Sequence, residues 1–288
     1  MRKPKWSFWA FIGPALFSFI LVQIIPTLMG IYYSFTDWSG VGSNINFVGL
    51  KNYIKVFTND SQFAHAFLFT VVFAVCAVIS INVVGFGLAL LVTQKFKGAN
   101  LMRGVFFMPN LIGGILLGFT WQFIFVQVFT TLGKSFNIPF LLGWLSNTET
   151  GFIGLLIVET WQLSGYMMII YIAQLQSIPD SVLEAAALDG ATGFTKLRTI
   201  VMPLMMPAFT IGLFLSISNT FKLFDQNVAL TNGGPANSTQ MISLNIYNTA
   251  FQENNFGLAQ AKAMIFMIVV AAISLVQLNI TKNKEVEL

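Results

Sequence analysis

Glu159, Trp161 and Gln162 stand together about ten residues into an apolar run at 151–173, roughly 15 Å along a helix that rises 1.5 Å per residue. An indole face covers C–H patches, and an amide or carboxyl group replaces hydrogen bonds to water with hydrogen bonds to a solute. This depth lies beyond the interfacial aromatic belt, and an ionisable group there is costly unless it faces a cavity or a partner. These residue types therefore suit a passage for a polar solute. Packing between helices for Trp161 and Gln162, and a structural hydrogen bond for Glu159, are the competing readings. Tyr166, Trp121, Gln122 and Asn219 qualify by the same logic. Lys222 and Asp225, near the outer end of another apolar run, are further candidates for the pathway, the competing reading being an ion pair on one helical face with Lys222 snorkelling to the interface.

Catalytic chemistry finds no comparable set. Gly133-Lys134-Ser135 resembles the end of a phosphate-binding loop, but that loop needs a further glycine where Val128 stands. No serine elbow, zinc-ligand spacing or carboxylate cluster occurs, so neither an enzyme nor an ATPase is expected, and no metal or cofactor is assigned to this chain. His65 alone makes no metal site. Cys76, the single cysteine, lies in an apolar run and reads as a small hydrophobe.

The elements that must position these side chains follow from composition. Of 288 residues, 56% are hydrophobic and 9% charged, against roughly 25% charged in a soluble domain. Long apolar runs of this kind need lipid as solvent. A span takes about 20 apolar residues to cross roughly 30 Å, and six stretches qualify, at about 9–33, 65–93, 104–128, 151–173, 204–226 and 259–280. The first follows a basic N-terminus, but it is too long for a signal-peptide core and has no small-residue cleavage site, so it is expected to be retained as a span. Pro14, Pro26, Gly85, Gly87, Gly113 and Gly114 are tolerable inside membrane helices. The expected fold class is an all-α polytopic membrane protein with six transmembrane helices in a single domain over 1–288.

Lys and Arg concentrate in cytoplasmic loops. Placing both termini inside puts Arg2, Lys3, Lys5, Lys95, Lys97, Arg103, Lys196, Arg198, Lys282 and Lys284 there. Lys51, Lys55 and Lys134 fall outside, with Lys222 and Lys262 near outer span ends. The basic residues are spread along the chain instead of forming one patch, so no nucleic-acid partner is expected. Outer loops then run at about 34–64, 129–150 and 227–258, and inner loops at 94–103 and 174–203. No internal repeat supports an inverted-repeat secondary transporter.

The inner loop 174–203 has its own pattern. Pro179 suits a first helical turn and Asp180 complements its dipole. Glu184 through Leu188 favour a helix, Gly190 breaks it, and Thr192 can cap a second helix carrying Phe194, Leu197, Ile200 and Val201. Glu184-Ala185-Ala186, three residues, Gly190, nine residues, Ile200, one residue, Met202-Pro203 closely resembles the signature loop of permeases of binding-protein-dependent ABC importers, which has Leu where Met202 stands. The resemblance implies a coupling helix seated in a separate ATPase subunit, with Glu184, Ala185, Ala186, Asp189, Gly190, Ile200 and Pro203 as coupling residues.

Further stretches resemble the carbohydrate branch of that family, which includes maltose- and glycerol-phosphate-type permeases. They are Phe47 to Tyr53, Trp161-Gln162, Leu175 to Pro179, Phe224-Asp225, and Leu230-Thr231-Asn232-Gly233-Gly234-Pro235. Gly233-Gly234-Pro235 also reads as an ordinary turn. The resemblance implies a multi-pass protein of the cell membrane with cytoplasmic termini, paired with a second, different permease. Two ATP-binding subunits would use ATP and Mg, and an extracytoplasmic solute-binding protein would meet the outer loops. The cargo would be an oligosaccharide or related sugar. Glycerol phosphate or another non-sugar solute is the alternative, and a proton-coupled secondary transporter or a membrane enzyme is more remote.

Overall fold

The computed structural model describes residues 6–42, 44–94 and 97–285. Arg2, Lys3, Lys5 and Lys95 of the charge distribution lie outside the described residues. In lipid every backbone N–H and C=O must be satisfied within the segment, and the chain answers with helices. Among the described residues five are long and apolar enough to cross a membrane: α1 (Phe8–Ser34), α3 (Ser61–Thr93), α5 (Gly114–Ser135), α6 (Thr148–Ser177) and α11 (Phe256–Lys282). A sixth crossing is available from a bent pair, α8 (Gly193–Leu204) and α9 (Met206–Phe221), which meet at 70°. The shorter helices are α2 (Lys51–Thr58), α4 (Ala99–Phe107), α7 (Asp180–Leu188) and α10 (Ile242–Phe251). The fold class is therefore an all-helical, multi-pass membrane protein.

One break divides a stretch that reads as continuous, and a second lies where the inner loop meets the fifth span. The apolar run 104–128 is split because Pro109 sits in a tight turn at Met108–Leu111, and Ile112 is extended before Gly113 opens α5. The bend before α9 falls at Met205, and Pro207 in the first turn of α9 has no N–H to donate to the carbonyl four residues back, so the α8 ladder cannot run on through it.

The chain forms two compact units. The first comprises Met1–Phe63 and Asn245–Ile268. Within it Trp38 stacks on Tyr33 at 4.4 Å, and Asn52 donates to the carbonyls of Ser34 and Thr36 at 2.9 and 2.8 Å. The apolar stretch of α1 is exposed along its length, as suits a lipid-facing helix.

The second unit comprises Ala64–Leu244 and Val269–Leu288. Its core gathers Phe73, Ile81, Leu155, Met167, Met168, Tyr171 and Met205, contributed largely by α3 and α6. Small residues let the helices close in: a Cβ on Gly85 would lie 2.9 Å from Met167, and one on Gly165 would collide with the Phe106 carbonyl. Tyr171 donates to Asn82, which donates to Ser216 at 2.9 Å. Ser80 and Thr160 share a hydrogen bond of 2.7 Å.

Candidate functional site

The break in the 104–128 stretch builds the site. Ile112, extended and outside any helix, offers its carbonyl to the Gln162 amide, which donates at 3.1 Å. Gln162 in turn accepts from the Gln226 amide. Glu159 stands three residues before Gln162 on the same face of α6, near the helix middle. Beyond the end of α9, Asp225 and Gln226 come close to the start of α5, and Gly114 makes room for them: a Cβ there would lie 2.7 Å from Asp225.

An open cavity of about 430 Å³ is lined by Asn110, Glu159, Gln162, Asn219, Lys222 and Asp225, with Leu163, Leu223, Phe224 and Gln226. Glu159 is 2% exposed, and its Oε2 has no hydrogen-bond partner. The wall thus combines carboxyl groups, amides and one ammonium, a set that can exchange several hydrogen bonds with a hydroxylated solute.

Not every sequence candidate is gathered here. Trp161 follows the opposite face of α6, meets Trp121 edge-on at 5.5 Å, and lines a separate, more apolar cavity of about 510 Å³ with Ser80, Thr160 and Ser164. Tyr166 packs against the hydrophobic core. Gln122 donates to the Leu230 carbonyl at 3.2 Å. Lys222 and Asp225 both face the polar cavity, but they form no ion pair: α9 ends at Phe221, so three-residue spacing no longer means one helical face. His65 borders a third cavity, of about 530 Å³, together with Glu149 and apolar side chains. Asn110 and Gln226 were missed by sequence reasoning. Pro109 with Gly113-Gly114 permits a break there that releases polar groups, but does not require one.

The loop 174–203 forms α7 and α8, separated by a tight reversal. The Ala191 N–H donates to the Ala186 carbonyl at 2.9 Å and the Gly190 N–H to that of Ala187 at 3.1 Å, closing the last turn of α7. This closure places Gly190 at φ +83, a conformation that costs a side-chain-bearing residue about 1–2 kcal/mol. Glu184, Ala185, Asp189 and Gly190 are exposed, Ala186 is buried, and Ile200 and Pro203 are half-buried. Leu188 and Phe194 are 89% and 74% exposed, leaving a bare apolar patch on the reversal.

Residues 85–284, which include this loop and the polar cavity, match the family model described as binding-protein-dependent transport system inner membrane component. The chain belongs to that family. Its members are permease subunits of ABC importers, and ATP hydrolysis resides in a separate subunit. "Probable starch degradation products transport system permease protein AmyD" of Thermoanaerobacterium thermosulfurigenes is 51% identical over 281 residues, covering 98% of this chain and 96% of that one. "Multiple sugar-binding transport system permease protein MsmF" of Streptococcus mutans is 32% identical over 98% of this chain and 97% of its own length. A solved bacterial ABC transporter involved in import of the acidic polysaccharide alginate contains a chain of the same fold, with a TM-score of 0.83, 19% identity and 96% coverage of both chains. Among the described residues no group of three or more His, Cys, Asp or Glu could hold a metal.

Proposed function

We propose that this permease forms half of the translocation pathway of an importer for an oligosaccharide or related sugar, with the polar cavity beside Glu159 and Gln162 as part of that pathway. The observation that carries this reading is a cavity wall of carboxyl, amide and ammonium groups set among helices otherwise built for lipid. The two sequence relatives described above bear names of sugar systems. The cavity also argues against a phosphate ester: its one lysine, Lys222, faces two carboxyl groups, Glu159 and Asp225, and no arginine joins it. A phosphate would need surplus positive charge. Trp161, Tyr166 and Trp121 then serve packing or the neighbouring cavity.

In this reading the termini and the loop 174–203 lie in the cytoplasm, and the protein resides in the cell membrane beside a second, different permease. The α7 reversal docks into one of two ATPases, which use ATP and Mg, through Glu184, Ala185, Ala186, Asp189 and Gly190. Leu188 and Phe194 supply apolar contact. Ile200 and Pro203 carry the movement towards α9. An extracytoplasmic solute-binding protein meets the outer segment 227–258.

Proteoliposomes holding the full complex should take up labelled oligosaccharide only with ATP and binding protein, and unlabelled sugar, but not glycerol 3-phosphate, should compete. Equal competition by the phosphate ester would refute the cargo, and uptake by this chain alone under a proton gradient would refute the ATP-driven mechanism. Gly190→Leu and Glu184→Lys should retain ATP hydrolysis while uptake falls about tenfold, the equivalent of losing roughly 1.4 kcal/mol of coupling. Normal uptake by both variants would remove the coupling role.

A further inference from the structure

Lys262, assigned by sequence to an outer span end, is buried to 2% exposure in the second turn of α11. Its three ammonium hydrogens meet three acceptors: Asp60 Oδ2 at 2.7 Å, Thr249 Oγ1 at 2.8 Å and Asn245 Oδ1 at 2.9 Å. The ring of Phe63 lies 5.7 Å from Nζ and closes the fourth side. Asp60 has a second task, because its Oδ1 accepts the Phe63 N–H at 2.8 Å and so caps the start of α3. Asn245 and Thr249, four residues apart, present one face of α10 to the ammonium. A single cation thus ties the head of α3, the inner face of α10 and the first turns of α11, all within the first unit.

An apolar residue could fill this space at least as favourably, since desolvating a buried ion pair offsets much of its attraction. Directional bonds from α11 to two other segments, two of them to α10, add something burial does not: they set the rotation of α10. The outward side of that helix carries exposed Tyr247 and Phe251, followed by Gln252 and Glu253.

We propose that Lys262 is a positioning residue that holds α10 with Tyr247 and Phe251 presented for docking of the solute-binding protein. This rests on the reading that segment 227–258 meets that protein. With the tie removed, docking must order α10 as well as contact it.

The test uses the full transporter in proteoliposomes, titrated with its binding protein while ATP hydrolysis is followed. Lys262→Met should raise the binding-protein concentration for half-maximal stimulation about tenfold, the cost of ordering a loosened segment, with the maximal stimulated rate retained. The double variant Asp60→Asn, Lys262→Met removes both charges and keeps an N-cap. It should regain the thermal stability lost by Lys262→Met yet keep the raised half-saturation. If Lys262→Met fails to assemble, the double variant carries the test. Half-saturation that returns to wild type together with stability would overturn the proposal, as would unchanged half-saturation in both variants. A wild-type complex that the binding protein does not stimulate would overturn the docking reading and this proposal with it, and is recognised because no substitution is involved.

Discussion

Glu159 and Lys262 are each 2% exposed in helices that are otherwise apolar, yet their surroundings are opposite. Lys262 has an acceptor for every hydrogen it can donate. Glu159 has a carboxyl oxygen with no partner, at the wall of a cavity about 430 Å³ in volume. A buried ionisable group whose bonds are all used within the chain joins elements together. One with bonding capacity left at a cavity wall can bind something that arrives. The difference separates the two roles an intramembrane ionisable group can take.

The largest expected effect comes from stranding the lysine. Asp60→Ala should lower stability by about 3–5 kcal/mol, because it leaves an uncompensated buried cation. Thermal unfolding in detergent measures this, and Asp60→Asn should be milder by about 1 kcal/mol because it keeps the helix cap. An Asp60→Ala protein as stable as wild type would erase the contrast.

Glu159→Leu should leave unfolding unchanged or slightly improved and reduce oligosaccharide uptake about tenfold, the loss of roughly one hydrogen bond. If that variant instead unfolds as readily as Asp60→Ala, Glu159 belongs with Lys262 as a structural group.

The smallest effect belongs to Asp37, an exposed carboxylate outside the spans. It accepts the Asn46 N–H at 2.8 Å and the Asn46 amide at 3.0 Å, and these bonds hold its pKa below the ordinary 3.8. A depressed carboxylate contributes above its unfolded pKa and loses that contribution as pH falls through the folded value. Faster hydrogen exchange at Asn46 is therefore expected only below about pH 4, with none of this change near neutrality.

Much of the fold is legible along the chain, because an apolar run long enough for lipid is a local property. The stretches 65–93 and 151–173 fall within α3 and α6. The stretch 104–128 was not legible in the same way: glycine and proline are tolerated in membrane helices, so Pro109 and Gly113 could equally have left it whole. The break persists where Gln162 takes up the released Ile112 carbonyl. Of the site, the helical repeat put Glu159 and Gln162 on one face, and a rotation of about 100° per residue turned Trp161 away. The competing reading of Lys222 and Asp225 as a helical pair fails because α9 ends at Phe221, an end that leaves little trace in the sequence.

Composition and spacing alone determined that lipid is the solvent, that the chain must be helical, and that the loop from Glu184 to Pro203 carries the family's pattern. Tertiary structure decided which polar groups meet: Gln162 with Ile112 and Gln226, and Lys262 with Asp60. Periodicity and hydrophobicity are measured between neighbours, whereas a buried charge is made tolerable by groups that only folding brings within 3 Å.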